Sequence, residues 1–435
     1  LCQGRDVNAL MTAGQLINWG MPTLAAEMLN ALDCQRTLPL YLQASLLPKA
    51  ERGELVAKAI DVFPQFVRFP NTLEEVAALE SIEECWFARH LLACFYYNKR
   101  SYNKAITLWQ RCVEMSPEFA DGWRGLAIHA WNKQHDYELA ARYLDNAYQL
   151  APQDARLLFE RDLLDKLSGA TPEKRLARLE NNLEIALKRD DMTAELLNLW
   201  HLTGQADKAA DILATRKFHP WEGGEGKVTS QFILNQLLRA WQHLDAREPQ
   251  QASELLHAAL HYPENLSEGR LPGQTDNDIW FWQAICANAQ GDETEAMRCL
   301  RLAATGDRTI NIHSYYNDQP VDYLFWQGMA LRLLGEQQTA QQLFSEMKQW
   351  AQEMAKTSIE ADFFAVSQPD LLSLYGDLQQ QHKEKCLMVA MLASAGLGEV
   401  AQYESARAEL TAINPAWPKA ALFTTVMPFI FNYVH

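Results

Sequence analysis

Long apolar runs are missing from this chain of 435 residues: nothing approaches the roughly 18 to 20 residues needed to span a bilayer. The closing VMPFIFNYVH is apolar but too short, and reads as a last helix or tail docked on the rest. No secretory signal stands at the start, and the first residue is Leu1 rather than Met, as expected of a piece of a longer chain. Basic clusters are missing too. With 55 acidic against 39 basic residues the net charge is −16. Phosphate binding needs a concentrated basic surface, so neither nucleic acid nor a membrane is expected as a partner. The eight cysteines (Cys2, Cys34, Cys85, Cys94, Cys112, Cys286, Cys299, Cys386) show no C-x-x-C spacing, which argues against a zinc site and a redox pair. Scattered at positions that would face helix partners, they read as buried free thiols in a reducing compartment, which points to the cytoplasm. No serine or cysteine lies in a G-x-S-x-G elbow.

What the chain does have is a repeat. In WFARHLLACFYYNKRSYNKAITLWQRCVEMSP, Leu92, Ala93 and Tyr96 share one face of a first helix; Ala105, Trp109 and Cys112 share one face of a second; and Pro117 closes the unit. The next unit places Trp123, Leu126 and Ala127 on its first helix, Ala140, Leu144 and Ala147 on its second, and closes at Pro152, 35 residues after Pro117. This is the tetratricopeptide period of about 34 residues. Small residues recur where the two helices approach most closely. The small residue of each second helix reads as Ala25, Ala57, Ala105, Ala140, Ala177, Ala209, Ala252, Ala296, Ala340 and Ala401, with turns at Gly20, Gly204, Gly291, Gly335 and Gly396. The expected fold is therefore all-α: a right-handed α-solenoid of about ten tetratricopeptide-like helix pairs. Its expected segments are helix pairs over 1–84, regular repeats over 85–216, loop-decorated repeats over 217–370, and a last repeat with a capping segment over 371–435.

After Ala209 the spacing of these markers lengthens from 37 and 32 to 43, 44, 44 and 61 residues. The additions are Lys217–Thr229, Tyr262–Asp278, Thr305–Asp322 and Thr357–Asp370, each after a second helix and before the next first helix. Connections of that kind emerge on one edge of a helical array, so four of them would form a continuous rim. Phe63–Glu75 reads as a similar loop. Loops this long are uncommon unless functional or disordered, and their Trp, Tyr and Phe content favours order.

The loop sequences VFPQFVRFPNTLEE, FHPWEGGEGK, YPENLSEGRLPG followed by DNDI, and DFFAVSQPDLL resemble, in this order, the C-terminal tetratricopeptide half of a bacterial family. Its members carry an N-terminal β-sandwich domain of unknown function. The resemblance covers nearly the whole chain and implies that the β-sandwich half lies outside it. Sandwiches of that type resemble domains of sugar-processing proteins, which suggests a carbohydrate connection by analogy.

Motifs for catalysis do not close. A phosphate loop at WEGGEGK needs a glycine where Trp221 stands and a hydroxyl where Val228 stands, and Glu222 and Glu225 would repel phosphate. The loop acids, among them Glu264, Glu268, Asp276, Asp318, Asp322 and Asp362, are numerous enough for a glycosidase pair, but sequence spacing cannot bring two together. Solvated acids and helix caps explain them, with Asp278 and Asp370 where caps would sit. His257 and His261 share a helix face without a third ligand. No catalytic residue, metal or cofactor is assigned, and the chain is not expected to be an enzyme by itself.

The expected function is a non-catalytic scaffold that holds a protein partner, or its own N-terminal β-sandwich domain. The expected rim comprises Trp221, Glu222, Glu225, Asn265, Glu268, Arg270, Asn277, Tyr315, Tyr316, Asp362, Phe363 and Phe364. In the rival reading the chain is the accessory half of a carbohydrate-active protein. Trp221 or Tyr316 would then stack on a pyranose, and Asn265, Arg270 or Asn277 would bind its hydroxyls.

Overall fold

The computed structural model describes residues 6–32, 34–62, 68–82, 84–221, 223–271, 273–310, 321–359 and 372–433. Among the described residues every regular element is helical. Most helices come in pairs that follow from local chemistry. Several second helices are amphipathic: α7 (Tyr102–Met115), α9 (Tyr137–Leu150), α18 (Glu293–Ala303) and α20 (Gln337–Met354). First helices such as α17 (Asn277–Ala289) and α19 (Tyr323–Leu333) are apolar nearly all round, because neighbours cover them on several sides. Side-chain caps start several helices: Asp136 accepts from the Leu139 amide and Asp292 from the Glu295 amide. The fold is an α-solenoid of tetratricopeptide-like pairs.

The chain divides into two compact units, residues 1–164 with 362–375, and residues 165–361 with 376–435. In the first, α6 (Trp86–Asn98) pairs with α7, and α8 (Ala120–His129) pairs with α9. α8 also packs on α7 and on α6. Ahead of them α1 (Asp6–Asn18) pairs with α2 (Pro22–Ala31), and α3 (Thr37–Ser45) with α4 (Gly53–Asp61). α5 (Leu73–Glu80) is a single helix, started by a Thr72–Glu75 capping box. α10 (Ala155–Leu167) follows α9.

In the second unit, α13 (Asp190–Leu202) pairs with α14 (Ala206–Thr215), α15 (Lys227–Asp245) with α16 (Pro249–Ala259), α17 with α18, α19 with α20, and α21 (Leu378–Leu397) with α22 (Val400–Ile413). Two shorter helices precede these pairs, α11 (Pro172–Glu180) and α12 (Leu183–Ala186). A final helix, α23 (Ala420–Tyr433), follows the last pair.

The close approaches fall where the period places them. Ala25, Ala105, Ala140, Ala209, Ala252 and Ala340 are wholly buried, and Ala296 nearly so. Three markers are corrected. Ala57, Ala177 and Ala401 are exposed. In α4 the buried small residue is Ala59; α11 buries Arg175, Leu176 and Leu179; α22 buries Tyr403 and Leu410. A two-residue offset turns a helix position through about 200°, so a neighbouring alanine lies on the opposite side. The turn expected at Gly396 is made by Gly398, at φ 75°. Gly396 instead lies inside α21, because with Gly328 of α19 it makes room for the ring of Phe344: a Cβ at either glycine would sit 2.3 Å from that ring. Gly125 of α8 does the same for Trp109 of α7, also at 2.3 Å. Trp282 and Trp326 lie in the core, whereas Trp123 and Trp280 are half-buried. The described cysteines are buried free thiols, and burial pushes Cys112, Cys286 and Cys299 up to about 12.

Alanine is the better helix former by about 1 kcal/mol, yet Gly125→Ala is expected to lower stability by about 1–3 kcal/mol through overpacking against Trp109. Urea unfolding checks this, and adding Trp109→Leu, which vacates space, should restore part of the loss.

Candidate functional site

The four loop additions lie between α14 and α15, α16 and α17, α18 and α19, and α20 and α21. The first two are fastened to each other. The Phe218 amide donates to the Asn265 carbonyl at 2.8 Å, Ser267 Oγ to the Phe218 carbonyl at 2.7 Å, and the Gly226 amide to Glu268 Oε2 at 2.7 Å. Asn265 Nδ2 gives both of its protons to main chain, the carbonyls of Leu213 and Arg216 at 2.9 and 2.7 Å. At the far end of the same connection Asn277, wholly buried, does likewise with the carbonyls of Ala303 and Thr305 after α18, both at 2.7 Å. Gln327 Nε2 also reaches Thr305 O, at 2.6 Å. Helix ends leave carbonyls without partners, and these amides supply them.

The rim residues thus take definite places. Trp221 is half-buried, its indole lying against Gly224 where a Cβ would stand 1.9 Å away. Glu225 is exposed. Arg270 is ion-paired to Asp276 and lies over the ring of Tyr262, 5.3 Å from its centroid. Burial lifts the Asp276 carboxyl above its ordinary range, against the pull of Arg270. Asp278 is not a cap: buried, it pairs with Lys419. Glu222, Tyr315, Tyr316, Asp318, Asp362, Phe363, Phe364 and Asp370 lie outside the described residues, as does Phe63–Val67 of the earlier loop. Asn265 and Asn277, with both amide protons already donated, have none for a sugar hydroxyl.

The groove of the second unit is filled by the chain itself. α23 packs on α13 and α15, and buries Leu422, Phe423, Val426, Met427 and Ile430. Phe423 stacks on Trp326 at 5.8 Å, and Phe429 meets Trp241 and Trp282 at 5.2 and 5.8 Å. Just before the helix Lys419, at φ 59°, places its ammonium 2.6 Å from Asp322 and 3.0 Å from Asp278. Burial works against that charge, but the two carboxylates outweigh it and hold the ammonium above its ordinary range. At about 1.5–3 kcal/mol per buried side chain, the five side chains supply on the order of 10 kcal/mol.

The first unit has a groove of different character, lined by α6, α8 and α10, and it holds the segment Leu372–Tyr375. α8 runs into a turn of π-helix at Ala130–Gln134, which carries Trp131 and Asn132. Arg124 and Asn132 donate to the Leu372 and Ser373 carbonyls, Trp131 to the Tyr375 carbonyl, and the Tyr375 amide donates to Asn132. These four bonds contribute about 0.5–1.5 kcal/mol each, and Leu374 is buried beside them. Sequence reading missed this site. Its one local sign is the 35-residue spacing of Ala105 and Ala140, one more than the usual period, because a π-turn takes an extra residue.

Stacked helix pairs with small residues at their close approaches define a repeat protein of the tetratricopeptide kind. No family model matches the chain. Similar solved structures include that of Naa15/Naa10 bound to HypK-THB, with 13% identity and a TM-score of 0.35 over 92% of this chain and 52% of that one. The chain thus spans about half the length of that protein. The TPR domain of P58(IPK) is similar at 13% identity and a TM-score of 0.24, over 88% of this chain and 98% of that one. The APC/C hetero-tetramer Cut9-Hcn1 is similar at 12% and 0.25, over 99% and 85%. No helix among the described residues is long and apolar enough to cross a membrane.

In α13, His201 is buried between Gln231, 3.0 Å from Nδ1, and Asn235, whose amide is 3.1 Å from Nε2. Burial depresses its pKa from about 6.5 to about 4. The unfolded chain therefore binds this proton first, and stability should fall as pH drops from 6.5 to 4, by about 3 kcal/mol in all. Urea unfolding of the parent and His201→Gln between pH 7 and 4 checks it. The variant should show a shallower loss, the remainder including that from His90, depressed to about 4 by burial in the same direction.

Proposed function

We propose that this chain is a non-catalytic scaffold of tetratricopeptide type that holds a protein partner, or the β-sandwich half implied by its family resemblance, through the loop edge of the second unit. The observation that supports this most directly is the filling of the second unit's groove by α23. The concave face that such arrays commonly offer is occupied there, and the edge is what remains. That edge is preorganised: the Asn265 clamp and the bonds from Ser267 and Glu268 hold two successive loops together, so little ordering cost is left for binding. Trp221, half-exposed, and Leu271, 45% exposed, are its aromatic and aliphatic anchors, with Glu225 at the margin. A few such anchors carry most of the energy of an interface.

Affinity capture from a bacterial lysate, read by mass spectrometry, tests the edge with the parent chain and a Trp221→Ala/Leu271→Ser variant of unchanged circular dichroism. A protein should be retained by the parent and reduced at least about tenfold by the variant, the loss of a hot-spot pair. Identical recoveries would remove the edge as the partner surface.

A further inference from the structure

The first unit carries an apolar surface that none of its described elements covers. Of fifteen large apolar side chains exposed among the described residues, seven lie between residues 7 and 73. They gather around α1. Val7, Met11, Gly14 and Asn18 are spaced i, i+4, i+7 and i+11, so they share one face of that helix. The segment 68–74 lies along the same face: Arg68 lines a small cavity with Val7, and Glu74 accepts from Asn18 Nδ2 at 2.5 Å. Phe69 and Leu73, carried on that segment, therefore flank Val7 and Met11, and Trp19 and Met21 extend the strip past the end of α1. Leu73 is 80% exposed, Trp19 68% and Met11 59%. At about 200 Å² for a large side chain, the exposed fractions of these six add to on the order of 700 Å². A monomer rarely leaves so large an apolar patch in water.

Composition marks this surface as one built for burial. α1, α2 and the turn between them hold two charged side chains, Asp6 and Glu27, in a chain that is 22% charged. Interface cores are depleted in charge and enriched in Trp and Met in the same way. Gly14 is a second, independent sign. Glycine is a poor helix former, yet it stands in the middle of α1, where a Cβ would meet nothing closer than Glu74 Cγ at 3.8 Å, an ordinary contact. The packing of the chain itself gives no reason for a glycine there. Close approach of a backbone from outside does.

We propose that this face of α1, with the segment 68–74, is the interface of a two-fold symmetric dimer, its occupant a second copy of this chain. Three observations fit a copy. The exposed area approaches the roughly 800 Å² that each partner gives to a stable interface. A two-fold axis between Met11 and Gly14 sets the projecting Met11 of each copy over the bare Gly14 of the other, so the face is its own complement. Two chains of net charge −16 repel, and this stretch brings almost no charge opposite itself. The inference goes beyond the scaffold reading and uses a different surface from the loop edge.

Sedimentation equilibrium of the intact chain tests it. The parent should be a dimer at about 10 µM, a concentration that even a weak interface of this area meets. Gly14→Ala fits the monomer and favours the helix, so its unfolding temperature in dilute solution should not fall, while its dimer dissociation constant should rise at least about tenfold. Met11→Glu and Met11→Lys should each be monomeric at the same concentration. Mixing the two should restore a dimer, because the axis brings the two positions together. Raising the salt from about 50 to about 500 mM should tighten the parent dimer, by screening the repulsion between two acidic chains. Circular dichroism confirms the fold of each variant, and if one fails it the others carry the test. A parent that stays monomeric at about 100 µM would overturn the proposal and leave the face to a different protein. So would a dimer that Gly14→Ala and both Met11 variants leave intact, or one that salt weakens.

Discussion

A pair of amphipathic helices cannot cover its own apolar surface, and each pair added to a stack covers one face while presenting another. Every level of this protein answers that constraint. Between successive pairs the cover is close packing, with Phe344 of α20 seated between Gly328 and Gly396 and Trp109 of α7 against Gly125. In the second unit the remaining face is lined by Trp241, Trp282, Phe325 and Trp326, and α23 closes it with Phe423 and Phe429. In the first unit the lining is polar, Arg124, Asn132 and Glu160, and a non-helical segment lies on it.

Polar groups meet the same constraint in another form. Lengthening the connections between pairs places more backbone against the array, and each buried carbonyl needs a donor. Asn265 provides donors at the end of α14, and Asn277 and Gln327 at the end of α18. Lys419 binds the entry of α23 to the starts of α17 and α19 through Asp278 and Asp322. Breaking such a buried pair leaves an uncompensated charge, typically at a cost of about 3–5 kcal/mol, so the pair holds the closing helix in one position.

The repeating pairs were legible because period and small residues are local signals: Ala105, Ala140, Ala209 and Ala252 lie buried where the spacing puts them. Legibility fails where a helix offers two candidates. Ala57 and Ala59 differ by about half a turn, and only the packing of α4 shows which one faces inward. Gly396 and Gly398 are equally good turn residues on paper. The ring of Phe344, some fifty residues earlier in the chain, makes one of them a helix residue. Asn265 and Asn277 looked like ligand-binding polar residues because both stand in loops. Their amides are taken by carbonyls 26 to 52 residues away, partners that no local pattern reveals.

By itself the sequence determined the all-helical class, the pairing of helices, and the position of the added loops in chain order, because each depends on periodicity within about one repeat. Tertiary structure decided which face each groove shows and what lies in it. α23 reaches back to α13, more than two hundred residues earlier, and Leu372–Tyr375 to α8, across 241 to 248 residues. Bonds to backbone leave no trace in the identity of the residues bound, so the segment's main chain could be read only once the fold had brought Asn132 to it.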